Sequence, residues 1–385
     1  MFSWFKRRLP HILMAGSMAG LAGLILAPSV APFLLRFEHQ TADWRTSTFA
    51  TGLDALHPGV AVVLISESTL EDYPYVLPPD RGLLAKIVRA LDRAGAKAIG
   101  LDFYFARNTE PAKDGELIAA VREAKANVVI GALDERGRLG ARQMEVQRAF
   151  IAATGRSAGY VNLRTEPDGI VRFRAGPAGG SSFPASFAAR LAEASGATAD
   201  AAEGPIAWLK TWRGRQPFLT LPAEALLAGS AAHAAAEKDG ALSALKGKTV
   251  VVGGDIAHLD RHATPLSGKG RKAEPGVFVH AHDVAQRLDG RLMHELGPGA
   301  VGWLLFVVAT AAGGLGWLFG TRHANLVGWT AATSVLVVAD VLAFAALRTI
   351  LPFSLMLAAW VLGATAGRSA RILAQGSSQE ERVEI

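Results

Sequence analysis

The stretch Gly59-Val-Ala-Val-Val-Leu-Ile-Ser66 decides the fold. It is an unbroken, β-branched apolar run of strand length, the pattern of a strand buried on both faces. Beyond it, Asp80 to Ala94 carries Leu83, Leu84, Ile87, Val88 and Leu91 at helical spacing, with Asp80 as N-cap and Gly95 as the stop. Lys97-Ala-Ile-Gly-Leu-Asp-Phe103 returns as a second strand ending in an acid, residues 114–125 form the next helix, and Val128-Val-Ile-Gly-Ala132 the next strand. Strand, helix, strand, helix, strand in so short a length calls for parallel pairing with right-handed crossovers. Lys248-Thr-Val-Val-Val-Gly253 and a helix near 281–288 extend the plan, while the Ala-rich stretches 191–204 and 223–238 read as peripheral helix and loop. The fold class is α/β, a mostly parallel sheet flanked by helices.

The rest of the chain has another character. Its 385 residues are 50% hydrophobic and only 19% charged, with a mean hydropathy of +0.24, too apolar for one ordinary soluble domain. The excess sits at the two ends. Residues 11–35 form an apolar segment that, at about 1.5 Å per residue, covers roughly 30 Å of hydrocarbon. It reads as a span or a signal peptide; the best cleavage context, Ser29-Val-Ala31, is followed by Pro32, so an uncleaved anchor is expected. Three further apolar runs, 298–320, 326–347 and 350–367, read as a transmembrane helical bundle with one span before the α/β domain and three after it.

The expected organisation is a cytoplasmic N-terminus over 1–10, spans at 11–35, 298–320, 326–347 and 350–367, an extracytoplasmic domain over 36–297 and a cytoplasmic tail over 368–385. The orientation follows from Lys6, Arg7, Arg8, Arg322, Arg368 and Arg371, which a cytoplasmic bias of basic residues places inside, in the cell membrane of a bacterium with the large domain in the periplasm. A net charge of +6 does not signify nucleic acid, because the basic residues are dispersed or flank apolar runs. The absence of cysteine excludes disulfides, thiolate metal sites and a cysteine nucleophile.

One series of short motifs runs through residues 37–295: Asp43-Trp-Arg45, Ile65-Ser-Glu67, Pro79-Asp-Arg81, Gly100-Leu-Asp102-Phe103, Gly159-Tyr-Val-Asn162, Asp168-Gly169 with Arg172, Ser186-Phe187-Ala188, Val252-Gly253, Asp260 with Thr264-Pro265, and Pro275-Gly-Val277 with His280-Ala281. In order and spacing this series resembles the type-two CHASE domain, the cyclase and histidine-kinase associated sensory extracellular domain. The resemblance implies an extracytoplasmic sensor coupled through the membrane to a cytoplasmic kinase or cyclase. Two features depart from that plan. Only residues 368–385 follow the last span, so the output is expected to reach a separate signalling protein in trans. Tyr73-Pro-Tyr75 also stands where the family commonly has a Trp-Pro-Trp-like turn.

Ligands of open parallel sheets bind at the carboxyl ends of strands. Glu67, Asp102 and Asp260 would face that edge and Arg81 could join them, either as a clamp on a polar ligand or as caps and an ion pair holding loops. His258, His262 and His282, with Asp260 and Asp283 nearby, offer nitrogen and oxygen ligands for a divalent cation, against the plainer reading of solvated loop histidines. Asp340 is the one acid deep in a span, suited to transmembrane coupling or to a plain hydrogen bond with Thr310 or Ser354. Gly16 with Gly20, and Gly316 with Gly320, mark small helix faces for packing within the bundle or for dimerisation. The expectation is a non-enzymatic membrane sensor, dimeric by analogy with receptors of this architecture. The alternatives are a metal-dependent periplasmic enzyme built on residues 258–283 and a structural subunit of a membrane complex.

Overall fold

The computed structural model describes residues 31–198, 203–211, 215–267, 273–318 and 322–383. It divides into an α/β unit, Ala50–Met293, and a helical unit formed by the described residues up to Phe49 and from His294 onward. In chain order the helical unit begins with helix α1 (Ala31–Phe49). The α/β unit supplies strand β1 (Val60–Ser66), helix α2 (Arg81–Arg93), β2 (Ala98–Leu101), α3 (Pro111–Glu123), β3 (Asn127–Ala132), α4 (Ala141–Thr154), β4 (Ser157–Tyr160), α5 (Phe187–Ala194), β5 (Leu219–Pro222), β6 (Thr249–Asp255) and α6 (Gly276–Leu288). The helical unit resumes with α7 (Pro298–Leu318), α8 (Arg322–Ala345) and α9 (Phe353–Val383).

The six-stranded sheet has the order β5-β1-β6-β2-β3-β4, and every pairing is parallel. The last strand in sequence therefore lies between the first two, with Val250 opposite both Ala61 and Ile99. Alternate residues serve opposite faces, as the period of a strand requires. Val63, Ile65, Leu101 and Val252 meet Leu84, Ile87 and Leu117 of α2 and α3 on one face; Val60, Val62 and Val251 meet Phe187, Leu191 and Val277 of α5 and α6 on the other. Burial on both faces is why these strands read as continuous apolar runs rather than alternating ones.

The Ala-rich segment expected at the periphery is in part a core element. Phe187 and Leu191 of α5 are wholly buried against the sheet, because Ser186 caps the helix and aims its apolar stripe inward. The helix expected over 114–125 runs from Pro111 to Glu123, and that near 281–288 starts at Gly276.

In the helical unit, α7 and α9 approach closely through small residues. A Cβ on Gly363 would collide with the carbonyl of Ala309, one on Gly367 with that of Gly313, and one on Gly316 with that of Ala364. Gly316 thus packs within the unit, while Gly16, Gly20 and Gly320 lie outside the described residues. Two described helices are long and apolar enough to cross a membrane, Pro298–Leu318 and Val327–Ala345. They carry exposed Trp303, Val307, Leu318, Val335, Val338 and Leu342. The segment expected as a span over 350–367 is not one of these two: it opens as the short strand Thr349–Ile350 and becomes α9, which continues into polar sequence as far as Val383. Of the expected span 11–35 only residues 31–35 are described, and there the helix continues past Leu35 to Phe49.

Asp340, on α8, is 3% exposed and pairs with Arg45 of α1 rather than with Thr310 or Ser354. Arg45 also donates through Nη1 to the Leu351 carbonyl at 3.2 Å and through Nη2 to Glu38 Oε1 at 3.3 Å. Glu38 Oε2 accepts from the backbone N–H of Ser354 at 2.7 Å. This network fastens α1 to α8 and to the start of α9.

Candidate functional site

The carboxyl edge of the sheet opens into a cavity of about 600 Å³. It is lined by the start of α2, the segment after β2, the ends of β3 and β4, and the loop after β6. Chain reversal around the inserted β6 leaves this crevice, which is where open parallel sheets bind ligands.

Asp80 closes the N-terminus of α2 by accepting from Leu83 N at 3.0 Å, and Lys113 Nζ donates to its other oxygen at 2.7 Å. Burial pushes the Asp80 carboxyl up, but Lys113 and the backbone N–H groups outweigh it and hold the acid below its ordinary value. With the cap fixed, Arg81 enters the core at 1% exposure. Its guanidinium carbon lies 4.3 Å from the centre of the Phe105 ring, which is itself stacked on Phe150 with a 4.2 Å centroid separation. Arg81 Nη2 donates to the Arg107 carbonyl at 3.4 Å and Nε lies 3.5 Å from Asp114 Oδ1, but neither Nε nor Nη1 has a hydrogen-bond partner. Burial draws the Arg81 proton affinity below its ordinary value, and Asp114 opposes that shift.

Asp102 continues β2, donating its N–H to the Val252 carbonyl at 2.8 Å. Its carboxyl, 6% exposed, lies 3.5 Å from His280 Nε2 on α6. Burial pushes this carboxyl up to about 6; His280 pulls it down and Asp260 adds to the rise. His280 is held edge-on to Phe187, with ring centres 5.4 Å apart.

The loop after β6 turns sharply through two left-handed residues, His258 at φ 63° and Asp260 at φ 45°. The Asp260 carbonyl accepts from Gly276 N at 2.9 Å, and a Cβ at Gly276 would come within 2.5 Å of the Asp260 carboxylate. Glycine is therefore required where α6 begins. Asp260 Oδ1 lies 2.9 Å from His262 Nε2. Burial raises the Asp260 carboxyl, but His262, His280 and the Gly276 N–H together bring it below its ordinary value.

Arg81, Asp102 and Asp260 all line the cavity. Glu67 does not: it accepts from Ala257 N at 3.1 Å and ties the end of β1 to the loop after β6. The three histidines considered for metal are not brought together. His262 faces the cavity, but His282 is 1% exposed with its Nδ1 accepting from Leu209 N at 3.2 Å, its ring packed on Trp208 and Phe218. Burial lowers His282 to about 3, leaving it neutral. Successive helical residues turn by about 100°, so His280 and His282 point to opposite sides of α6. Among the described residues, no group of three convergent ligands includes His258, His262 or His282. Asp283 is likewise committed, accepting from Gln286 Nε2 and Arg287 Nε, both at 2.8 Å.

His280, which the sequence marked only for a structural role, also lines the cavity, as do Arg107, Gln143 and Asn162, which were not singled out from sequence as site residues. His280 and Asn162 do fall within the motif series, so placing those motifs on strand ends and on α6 was the signal that could have found them.

The fold and cavity define an α/β domain with a ligand-sized recess at its sheet edge, in a chain that carries membrane-length helices. The chain belongs to the CHASE2 family, whose CHASE2 domain model matches residues 18–315. Membership makes this an extracytoplasmic sensory domain. No curated protein and no solved structure matches the chain.

Proposed function

We propose that the protein is a membrane-anchored periplasmic sensor that binds a small ligand in the sheet-edge cavity and passes the signal through its helices to a signalling protein in trans. The observation that carries this reading is the cavity itself, which brings Arg81, Asp102, Asp260, His262 and His280 together where parallel sheets place their ligands. A periplasmic domain anchored in the inner membrane fits the distribution of Lys and Arg around the apolar runs. A dimer is the working assembly. The divergence of His280 and His282 gives a metal-dependent enzyme no support.

For such a sensor to signal, the ligand must favour one of two arrangements of the helices, since equal affinity for both shifts nothing. The test is thermal unfolding of the full-length chain in lipid nanodiscs against a library of small polar and amphipathic molecules. A true ligand at a hundredfold excess over Kd stabilises by about 2.7 kcal/mol. A cavity that answers to no small molecule overturns the reading and leaves a protein partner as the stimulus.

A further inference from the structure

We infer that the cavity takes a small organic monocarboxylate with an apolar body, its carboxylate on Arg81 and Arg107 and a hydrogen-bond donor on Asp102. This rests on the reading of the cavity as a ligand site. The starting point is an unfinished ion pair. Arg81 is 1% exposed, and Asp114, the acid facing it at 3.5 Å, already accepts from Thr109 N at 2.9 Å and Thr109 Oγ1 at 2.8 Å. Nε and Nη1 of Arg81 are both left without a hydrogen-bond acceptor. A buried guanidinium with an unmet N–H is costly, and a ligand carboxylate supplies the missing oxygen in a geometry that suits the planar fork.

Arg107 doubles the positive charge on this wall. Its carbonyl already holds Arg81 Nη2, its side chain is exposed at the cavity, and among the described residues it makes no ion pair. Asp80 occupies the N-cap of α2, so the anion site consists of guanidinium groups rather than free backbone amides.

Two further features narrow the class. Leu77, Phe103, Leu133, Val161, Ile256 and Leu259 line the walls, which favours an apolar body over a bare inorganic anion. Asp102 and Asp260, which line the same cavity, stand beside His280 and His262. Two carboxyls there repel a second negative charge and accept hydrogen bonds, so a dicarboxylate is disfavoured and a hydroxyl or ammonium donor is welcomed.

The test compares isosteric pairs on the full-length chain in nanodiscs, by titration calorimetry and thermal unfolding: phenylacetate against phenylacetamide, 4-hydroxyphenylacetate against its amide, and hexanoate against hexanamide, with phenethylamine and inorganic phosphate alongside. The expected result is carboxylate binding at least about tenfold tighter than amide binding. Arg107→Gln, at an exposed position, should remove most of that preference, weakening carboxylate binding far more than amide binding. Arg81→Lys should weaken carboxylate binding, but the wild-type comparison stands even if that variant folds poorly. Amides binding as tightly as carboxylates, or phenethylamine or phosphate binding more tightly, overturns the ligand class while the cavity remains a ligand site. Silence from every carboxylate overturns this inference, while the proposed function falls only if the wider library of small molecules gives no shift either.

Discussion

Arg45 and Arg81 are both almost fully buried, one in the helical unit and one in the α/β unit, and their surroundings treat them in opposite ways. Arg45 meets two acids and a carbonyl, a set that compensates its charge and ties three helices together. Arg81 stacks on aromatic rings beside a single, already shared acid and borders a cavity. A buried cation whose charge is compensated by two acids of its own chain holds structure even with Nε unmet; one that faces a single shared acid, with both Nε and Nη1 unmet, is poised to take an acceptor from elsewhere.

The sharpest way to break this contrast is to unpair Arg45. Asp340→Ala leaves its charge undercompensated and should cost about 3–5 kcal/mol, read as a lower unfolding midpoint of the full-length chain. Replacing both partners by apolar residues, Arg45→Met with Asp340→Leu, should recover most of that loss. A single variant as stable as the parent would show that the network is not a clamp.

Asp102 gives the next largest effect, with a defined sign. Its folded-state pKa of about 6 lies above the ordinary 3.8, so between those values the native state holds a proton that the unfolded chain has released. Its contribution is complete at low pH and is lost as pH rises through about 6, a change of at most about 3 kcal/mol. His282 acts in reverse: held near 3 against an ordinary 6.5, it takes stability away as pH falls below 6.5. Unfolding measured from pH 4 to 7 should therefore show a steeper rise with pH in Asp102→Asn than in the parent, and a shallower one in His282→Gln. Parallel curves for Asp102→Asn and the parent would show that the carboxyl is not raised.

Gly363→Leu should separate α7 from α9 and cost about 1–3 kcal/mol, the range for overpacking. The smallest effect is expected at the half-exposed Arg89–Glu116 pair, where Arg89→Ala should change stability by less than about 1 kcal/mol.

Much of the α/β plan was legible because its signals are local. The β-branched run at 60–65 and the Asp80 cap with its Gly95 stop all fall within a few residues of the element they define. Strand ends then placed Asp102, Arg81 and Asp260 at one edge, as the topology demands. What stayed hidden depends on distance or direction. β4 and β5 are too short for periodicity to register, and Arg45 finds Asp340 across nearly the whole chain. His282 looked like a metal ligand because the helix was expected to start near residue 281, which left His280 outside it and hid the opposite facing of the two rings; the helix starts at Gly276. The free Nη1 of Arg81 was equally illegible, since it depends on what Asp114 is already doing.

The position of β6 governs the order in which this domain can be made. Its strand lies between β1 and β2 yet is synthesised after all the others. A nascent chain ending before Thr249 holds β1 and β2 without the strand that joins them, so its sheet stays in two pieces and their facing edges stay unpaired. Such edges invite pairing with other chains, and long-range parallel pairing is slow to form. The growing domain is thus at its most aggregation-prone just before it is finished, and any factor that shields exposed strand edges would matter most over that last stretch of synthesis.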